Sequence, residues 1–288
     1  MPQITRNQHF VPRFLLAGFT ASLTREDRLW VTDLKTDRGW PDKPAKAGYK
    51  RKFYDIQKAG LEPDFFDKAI NDEIDALAAP IIRKVIDLGL IPARNSEEYE
   101  ILISFVALLA SRVPAMRTML DAAIDDLGKF LFEQDTKTPE RWNRLRGRFE
   151  KDTNPEGLSY EDAGCVVEEN SVSFTLHQNS HVGMIWKTVE AILPCLLERN
   201  WAILTSSSGS LICSDNPVSV SITSGGMTGW YQPGFGVEGA EVTVPLNRYT
   251  LLRGAFEPQR TQTDITRRQV AYYNSLRIIQ AERFLYAN

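Results

Sequence analysis

Trp201-Ala202-Ile203-Leu204-Thr205, Leu211-Ile212-Cys213-Ser214 and Val218-Ser219-Val220-Ser221-Ile222 follow one another with no helical stretch between them. Glu241-Val242-Thr243-Val244-Pro245-Leu246 and Tyr249-Thr250-Leu251-Leu252-Arg253 come next. These runs are apolar and β-branched, Val218 to Ile222 alternates, and Ser206–Ser210 and Asn247-Arg248 supply turns. Strands in succession pair antiparallel, because a parallel pair needs a long crossover. The first two runs are expected to form one hairpin and the last two another. The stretch thus predicts a mostly antiparallel sheet, formed mainly by the C-terminal third.

Upstream the period changes. Phe66, Ile70, Ile74, Leu77, Ile81, Ile82, Val85 and Ile86 keep helical spacing and predict one helix over about 63–88, stopped at Gly89. Ser96-Glu97-Glu98 opens a helix expected to run to Leu131, bent at Pro114. Thr138-Pro139-Glu140 opens another, carrying Arg141, Arg144, Arg146 and Arg148, with a linker at 152–157 behind it. Helices are expected over 159–168, 180–198 and 264–284, a strand at 28–34 and a loop at 35–52. The glycine-rich stretch 225–239, with Trp230 and Tyr231, reads as a mobile loop or lid. Helices first and clustered strands after them indicate an α+β protein. It is expected to be one domain over 1–288, helix-rich at about 60–200 and strand-rich at about 201–255.

The composition is that of an ordinary globular chain, 43% hydrophobic and 25% charged, able to bury a sizeable core. A net charge of −3 gives no case for wide nucleic-acid or membrane binding, although the arginine-rich helix comes close to a local basic patch. Cys165, Cys195 and Cys213 are widely spaced without a CxxC, which argues against a disulfide framework and a thiolate zinc site. No signal-peptide apolar core opens the sequence, and runs such as Ile101–Ala110 are too short to span a bilayer. A reducing cytoplasm, with no membrane partner, is the expected location. A GxxxxGK[ST] loop, a GxGxxG after a strand and a GxSxG elbow are all missing, which disfavours NTP hydrolysis, dinucleotide redox and α/β-hydrolase chemistry.

Asn7-Gln8-His9-Phe10-Val11-Pro12-Arg13 places one of three histidines and a permanent cation in an otherwise apolar run. His9 is a candidate general base or metal ligand, and Arg13 a clamp for phosphate or carboxylate. The competing reading is that both pair with carboxylates and pin an N-terminal arm to the core. His177-Gln178-Asn179-Ser180-His181 is an HxxxH pair that could chelate a divalent metal on one helical face, unless Ser180 caps the helix and leaves His177 outside it. His181, Ile185 and Val189 share a stripe, which favours a partly buried histidine. Ser214-Asp215-Asn216-Pro217 places a carboxylate and an amide at a strand end, suited to a site and equally to a turn. Arg112, in a long apolar helix, is a candidate buried ion pair or anion contact, whereas Glu73 and Asp75 read as solvated charges. Asn274 stands where an apolar residue would be routine and needs partners.

Gln8-His9-Phe10-Val11-Pro12-Arg13, Phe53-Tyr54, Asp215-Asn216-Pro217-Val218, Pro245-Leu246-Asn247-Arg248 and Asn274 together resemble the signature of the domain of unknown function 4238 (DUF4238), a largely bacterial family. The resemblance implies one full-length domain and brings no established activity.

Read together, these residues lead to a hydrolase-type enzyme acting on a phosphodiester or other phosphate-bearing substrate, in the manner of a nuclease. His9 and Asp215 would be catalytic; Arg13, Arg112, Asn216 and Asn274 would bind substrate, nucleic acid or a small phosphate-bearing molecule. A divalent metal on His177 and His181 is a further option. The rival is a non-catalytic binding or regulatory protein in which the same residues form a structural polar network.

Overall fold

In the computed structural model, which describes residues 5–149, 159–222 and 233–288, the chain is α+β. In chain order β1 (Asn7–His9) and α1 (Arg13–Ala17) precede β2 (Leu29–Asp33), β3 (Arg38–Asp42) and β4 (Tyr49–Arg51). Helices α2 (Phe65–Ala69), α3 (Ala76–Leu88), α4 (Glu97–Ser111), α5 (Pro114–Asp135), α6 (Pro139–Phe149), α7 (Tyr160–Glu168) and α8 (Gln178–Leu197) follow. Then come β5 (Asn200–Thr205), β6 (Cys213–Ser214), β7 (Ser219–Ile222), β8 (Ala240–Asn247), β9 (Thr250–Ala255), β10 (Gln262–Asp264), α9 (Arg267–Gln280) and β11 (Phe284–Ala287). Two compact units divide the chain: Met1–Met116 with Gln178–Asn288, and Arg117–His177. Most of the predicted glycine-rich lid and the 152–157 linker lie outside the described residues.

The strand-rich stretch builds most of one sheet and gives a second sheet one strand, β6. β10-β5-β9-β8-β7 form a five-stranded sheet, antiparallel except for the β10–β5 pair. β3-β2-β11-β6 form a four-stranded antiparallel sheet, and β1 pairs with β4. The β8–β9 hairpin forms as predicted, with its turn at Arg248-Tyr249, one residue beyond the expected Asn247-Arg248, because Asn247 still pairs with Thr250. The expected hairpin of β5 with the Leu211–Ser214 run does not form: β5 pairs with β9 and β10, while Cys213 and Ser214 pair with β11. The cause is polar. Asn274 accepts from the Ile212 N–H (3.0 Å) and donates to the Ser210 carbonyl (2.9 Å), tying this segment to α9.

The predicted loop at 35–52 holds β3 and β4. Their signal was hidden because β3 has almost no buried side chain and contains Gly39 and Pro41, and β4 is three residues long. The predicted closing helix ends early, at Gln280, and β11 follows it. The predicted single helix from Glu97 to Leu131 is two, parted at Arg112-Val113 with Pro114 as the first residue of the second.

One face of the five-stranded sheet presents Val220, Val242, Val244, Leu246 and Leu252 to the main core. There they join α4, where Leu102, Ile103, Phe105, Val106, Leu108 and Leu109 are wholly buried, and α8. The opposite face is covered by α9. Leu204, Leu251, Ile265, Val270 and Tyr273 form a smaller cluster there, beside a buried polar layer. In that layer Arg277 donates to Ser219 and Thr243, and Glu241 pairs with Arg253 at 2.6 Å. The second unit has its own aromatic centre, Phe132 against Trp142 and Phe174, with Gly128 leaving room for the Phe174 ring.

The predicted helix over 63–88 is interrupted by a π-helical turn, Ile70–Asp75, in which the Ala76 N–H reaches back five residues to the Asn71 carbonyl. The extra residue shifts the phase of everything after it. Leu77, on the predicted stripe, is 52% exposed, and Ala78, Ile81, Ile82 and Val85 carry the buried face. Asp75, discounted as a solvated charge, turns inward.

Candidate functional site

The N-terminal arm is held by backbone and amide bonds. The Phe10 and Val11 N–H groups both donate to the Gly48 carbonyl (2.9 and 3.1 Å). Gly48 has φ +64°, and a Cβ there would lie 3.0 Å from Val11 and Leu16, so the close approach requires glycine. Gln8 is buried beneath the arm. Its amide oxygen accepts the Tyr54 N–H at 2.5 Å, and its nitrogen donates to Asp55 at 2.6 Å. His9 is therefore fixed in place, buried, with its ring 5.4 Å from that of Tyr49. Pro12 precedes α1 in extended conformation, and Arg13, the first residue of α1, is exposed.

Arg112 occupies the break between α4 and α5 and is completely buried. Its guanidinium makes a two-pronged bond to Asp75, 3.1 and 2.9 Å, and its carbonyl accepts the Tyr54 hydroxyl at 2.8 Å. The π-helical turn supplies Asp75 to this pair, and eight residues earlier α2 buries Asp67. Asp64 accepts the Thr5 N–H (2.7 Å) and pairs with Lys68 (3.1 Å).

Burial and charge spread the titrations apart. Burial, then the Arg13 and Arg112 charges, lower His9 to about 4, against hydrogen bonding to the backbone at Ala45 and Asn7. Burial and the neighbouring Asp64 charge raise Asp67 to about 6, with Arg112 pulling the other way. Asp75 is also raised by burial, opposed by Arg112. Among the described residues, His9 Nε2 and Arg112 Nε are buried with no hydrogen-bond partner. Proton carriers of opposite tendency thus share the field of one buried cation.

The other predicted site residues are engaged elsewhere. Asp215 accepts three backbone N–H bonds, from Glu282 (2.9 Å), Arg283 (2.8 Å) and Phe284 (2.9 Å), and so anchors the start of β11. Burial raises its pKa while those bonds pull it down. Asn216 donates to the Gln280 carbonyl at 2.9 Å. With Asn274 on Ser210 and Ile212, these three groups tie α9 and β11 to the loops beside them. The structure thus places His9, Arg13 and Arg112 in one electrostatic neighbourhood, and Asp215, Asn216 and Asn274 in a second set of contacts.

His181 is buried on α8, as its stripe predicts, but His177 precedes Gln178, the first residue of that helix. The helical i, i+4 spacing of the HxxxH reading is therefore not formed. Among the described residues, no group of three or more His, Cys, Asp or Glu side chains could hold a metal ion. Sequence reasoning missed Asp67, Asp75 and Gln8. An arginine in an apolar helix was the available signal, since it demands a buried carboxylate.

A protein-family model described as "Protein of unknown function (DUF4238)" matches residues 7–288. No curated protein and no solved structure matches the chain.

Proposed function

Because the chain belongs to the DUF4238 family of proteins of unknown function, its chemistry has to be read from its own residues, and we propose that it is a hydrolase-type enzyme acting on a phosphodiester or other phosphate-bearing substrate, nuclease-like and working in a reducing cytoplasm. The observation that supports this is that His9 and Asp67, both buried, each lie in the field of the buried Arg112. His9, lowered to about 4, is neutral at pH 7 and has an unbonded Nε2 to take a proton. Asp67, raised to about 6, is about one tenth protonated at pH 7 and can return one. A bound phosphate would offset the Arg13 and Arg112 fields and raise both groups, strengthening the base and filling the acid together. Asp215 has an architectural part in this reading.

The purified protein is expected to hydrolyse bis-p-nitrophenyl phosphate or a labelled oligonucleotide. His9→Gln and Asp67→Asn should each lower turnover by about 100-fold or more with the melting temperature little changed. Absence of turnover by the wild type on all such substrates would sink the proposal. A second reading, a non-catalytic binding or regulatory protein, is favoured by the mutual bonding of Arg112 with Asp75 and the three amides on Asp215. It predicts that these substitutions move the melting temperature and nothing else.

A further inference from the structure

Residues 5–20 and 43–54 contain no acidic residue, in a chain where Asp and Glu outnumber Lys and Arg 37 to 34. These two segments meet in the β1–β4 ribbon, with Asn7 opposite Arg51, Gln8 opposite Lys50 and His9 opposite Tyr49. Arg6, Lys50, Arg51 and Lys52 are exposed on the ribbon or at its ends, and Arg13 at the start of α1 and Lys46 in the turn before β4 are exposed as well. Among the described residues none of the six is in an ion pair. The carboxylates nearest in sequence or contact are engaged, Asp42 by the Lys43 N–H, Asp55 by Gln8, and Asp64 by Thr5 and Lys68. What sets this ribbon apart is clustering: six exposed cations gather beside a buried histidine on two segments without an acidic residue, a local positive field that suits a polyanion.

We infer that the β1–β4 ribbon and the first turn of α1 hold the phosphate backbone of a nucleic-acid strand and lead it past His9. This rests on the phosphate-substrate reading above and names its substrate class. Side-chain parity puts Lys50 on the side of Gln8, and Arg51 on the side of Asn7 and His9, so both flanks of the ribbon carry charge. A lipid surface fits less well. An interfacial segment needs apolar side chains to insert, and no large exposed hydrophobic residue lies in 5–20 or 43–54.

Fluorescein-labelled 20-nucleotide RNA and single-stranded DNA, titrated at a series of salt concentrations, test this. The His9→Gln background keeps binding separate from cleavage. Each phosphate contact contributes about −0.7 to the slope of log affinity against log salt. The triple variant K50Q/R51Q/K52Q should therefore flatten the slope by about 2 and weaken binding at least tenfold at low salt, with its melting temperature retained. R6Q/K46Q should give a smaller loss in the same direction. An affinity and slope unmoved in both variants would overturn the inference. So would binding to phosphatidylglycerol vesicles with none to either oligonucleotide. Turnover of bis-p-nitrophenyl phosphate without oligonucleotide binding would overturn it too, while leaving the hydrolase reading in place.

Discussion

His9 and Asp67 are both buried, yet burial moves them in opposite directions, because the charged form of one is a cation and of the other an anion. His9 falls from 6.5 to about 4, so between those values the unfolded chain binds more protons. Its contribution is fully present above 6.5 and is lost as pH falls towards 4. Asp67 rises from 3.8 to about 6, so there the folded chain binds more protons. Its contribution is present below 3.8 and is lost as pH rises through 6. The two oppose each other across the acid window. His9→Gln should leave a stability that falls more with rising pH than wild type between about 4 and 6; Asp67→Asn should leave one that climbs more. Urea denaturation at half-unit intervals would read both, and two variants with the wild-type pH slope would refute the pairing. Neither titration was legible in the residues themselves. His9 stood out for its apolar neighbours, but Asp67 looks like one more charge on a charged helix until the fold encloses it.

At the scale of elements, the π-helical turn decides which side of one helix meets another. Helical periodicity located the 65–88 segment well, because Phe66 and Ile70 come before the turn and Ile81, Ile82 and Val85 stay in register with one another after it. What periodicity could not show was the added residue, since no side chain announces it. That residue is why Asp75 reaches Arg112 and Leu77 faces solvent. Arg112→Met should strand the buried Asp75 carboxylate and cost about 3–5 kcal/mol of stability, while Arg112→Met with Asp75→Leu should regain most of it. Denaturant midpoints would measure this. A double variant no better than the single would mean that the π-helical turn depends on the ion pair itself.

At the scale of the molecule, the strand-rich stretch disclosed the class of fold. The Arg248 N–H bonds the Gly18 carbonyl at 2.9 Å, joining the N-terminal arm to the β8–β9 turn. Asp215 and Asn274 instead secure β11 and α9, partners that were invisible because β11 is four residues long and its place rests on amide N–H groups far along the chain. Removing residues 282–288 should then collapse the four-stranded sheet and leave the protein insoluble on expression. Soluble truncated protein with a wild-type melting temperature would contradict this.

The central place of β11 has a temporal side. The Asp33–Arg283 pair spans 250 positions, so β2 emerges from synthesis long before the strand that flanks it. For that interval β2 carries a bare edge with Trp30 and Val31 along it, a template for neighbouring nascent chains. On the other side of the β2–β3 hairpin Gly39 and Pro41, which made β3 hard to recognise, stand at alternate positions of the strand that stays at the edge of the finished sheet. Residues that weaken the signal of a strand here also guard its outer edge against pairing with other copies of the chain, before and after β11 closes the far side.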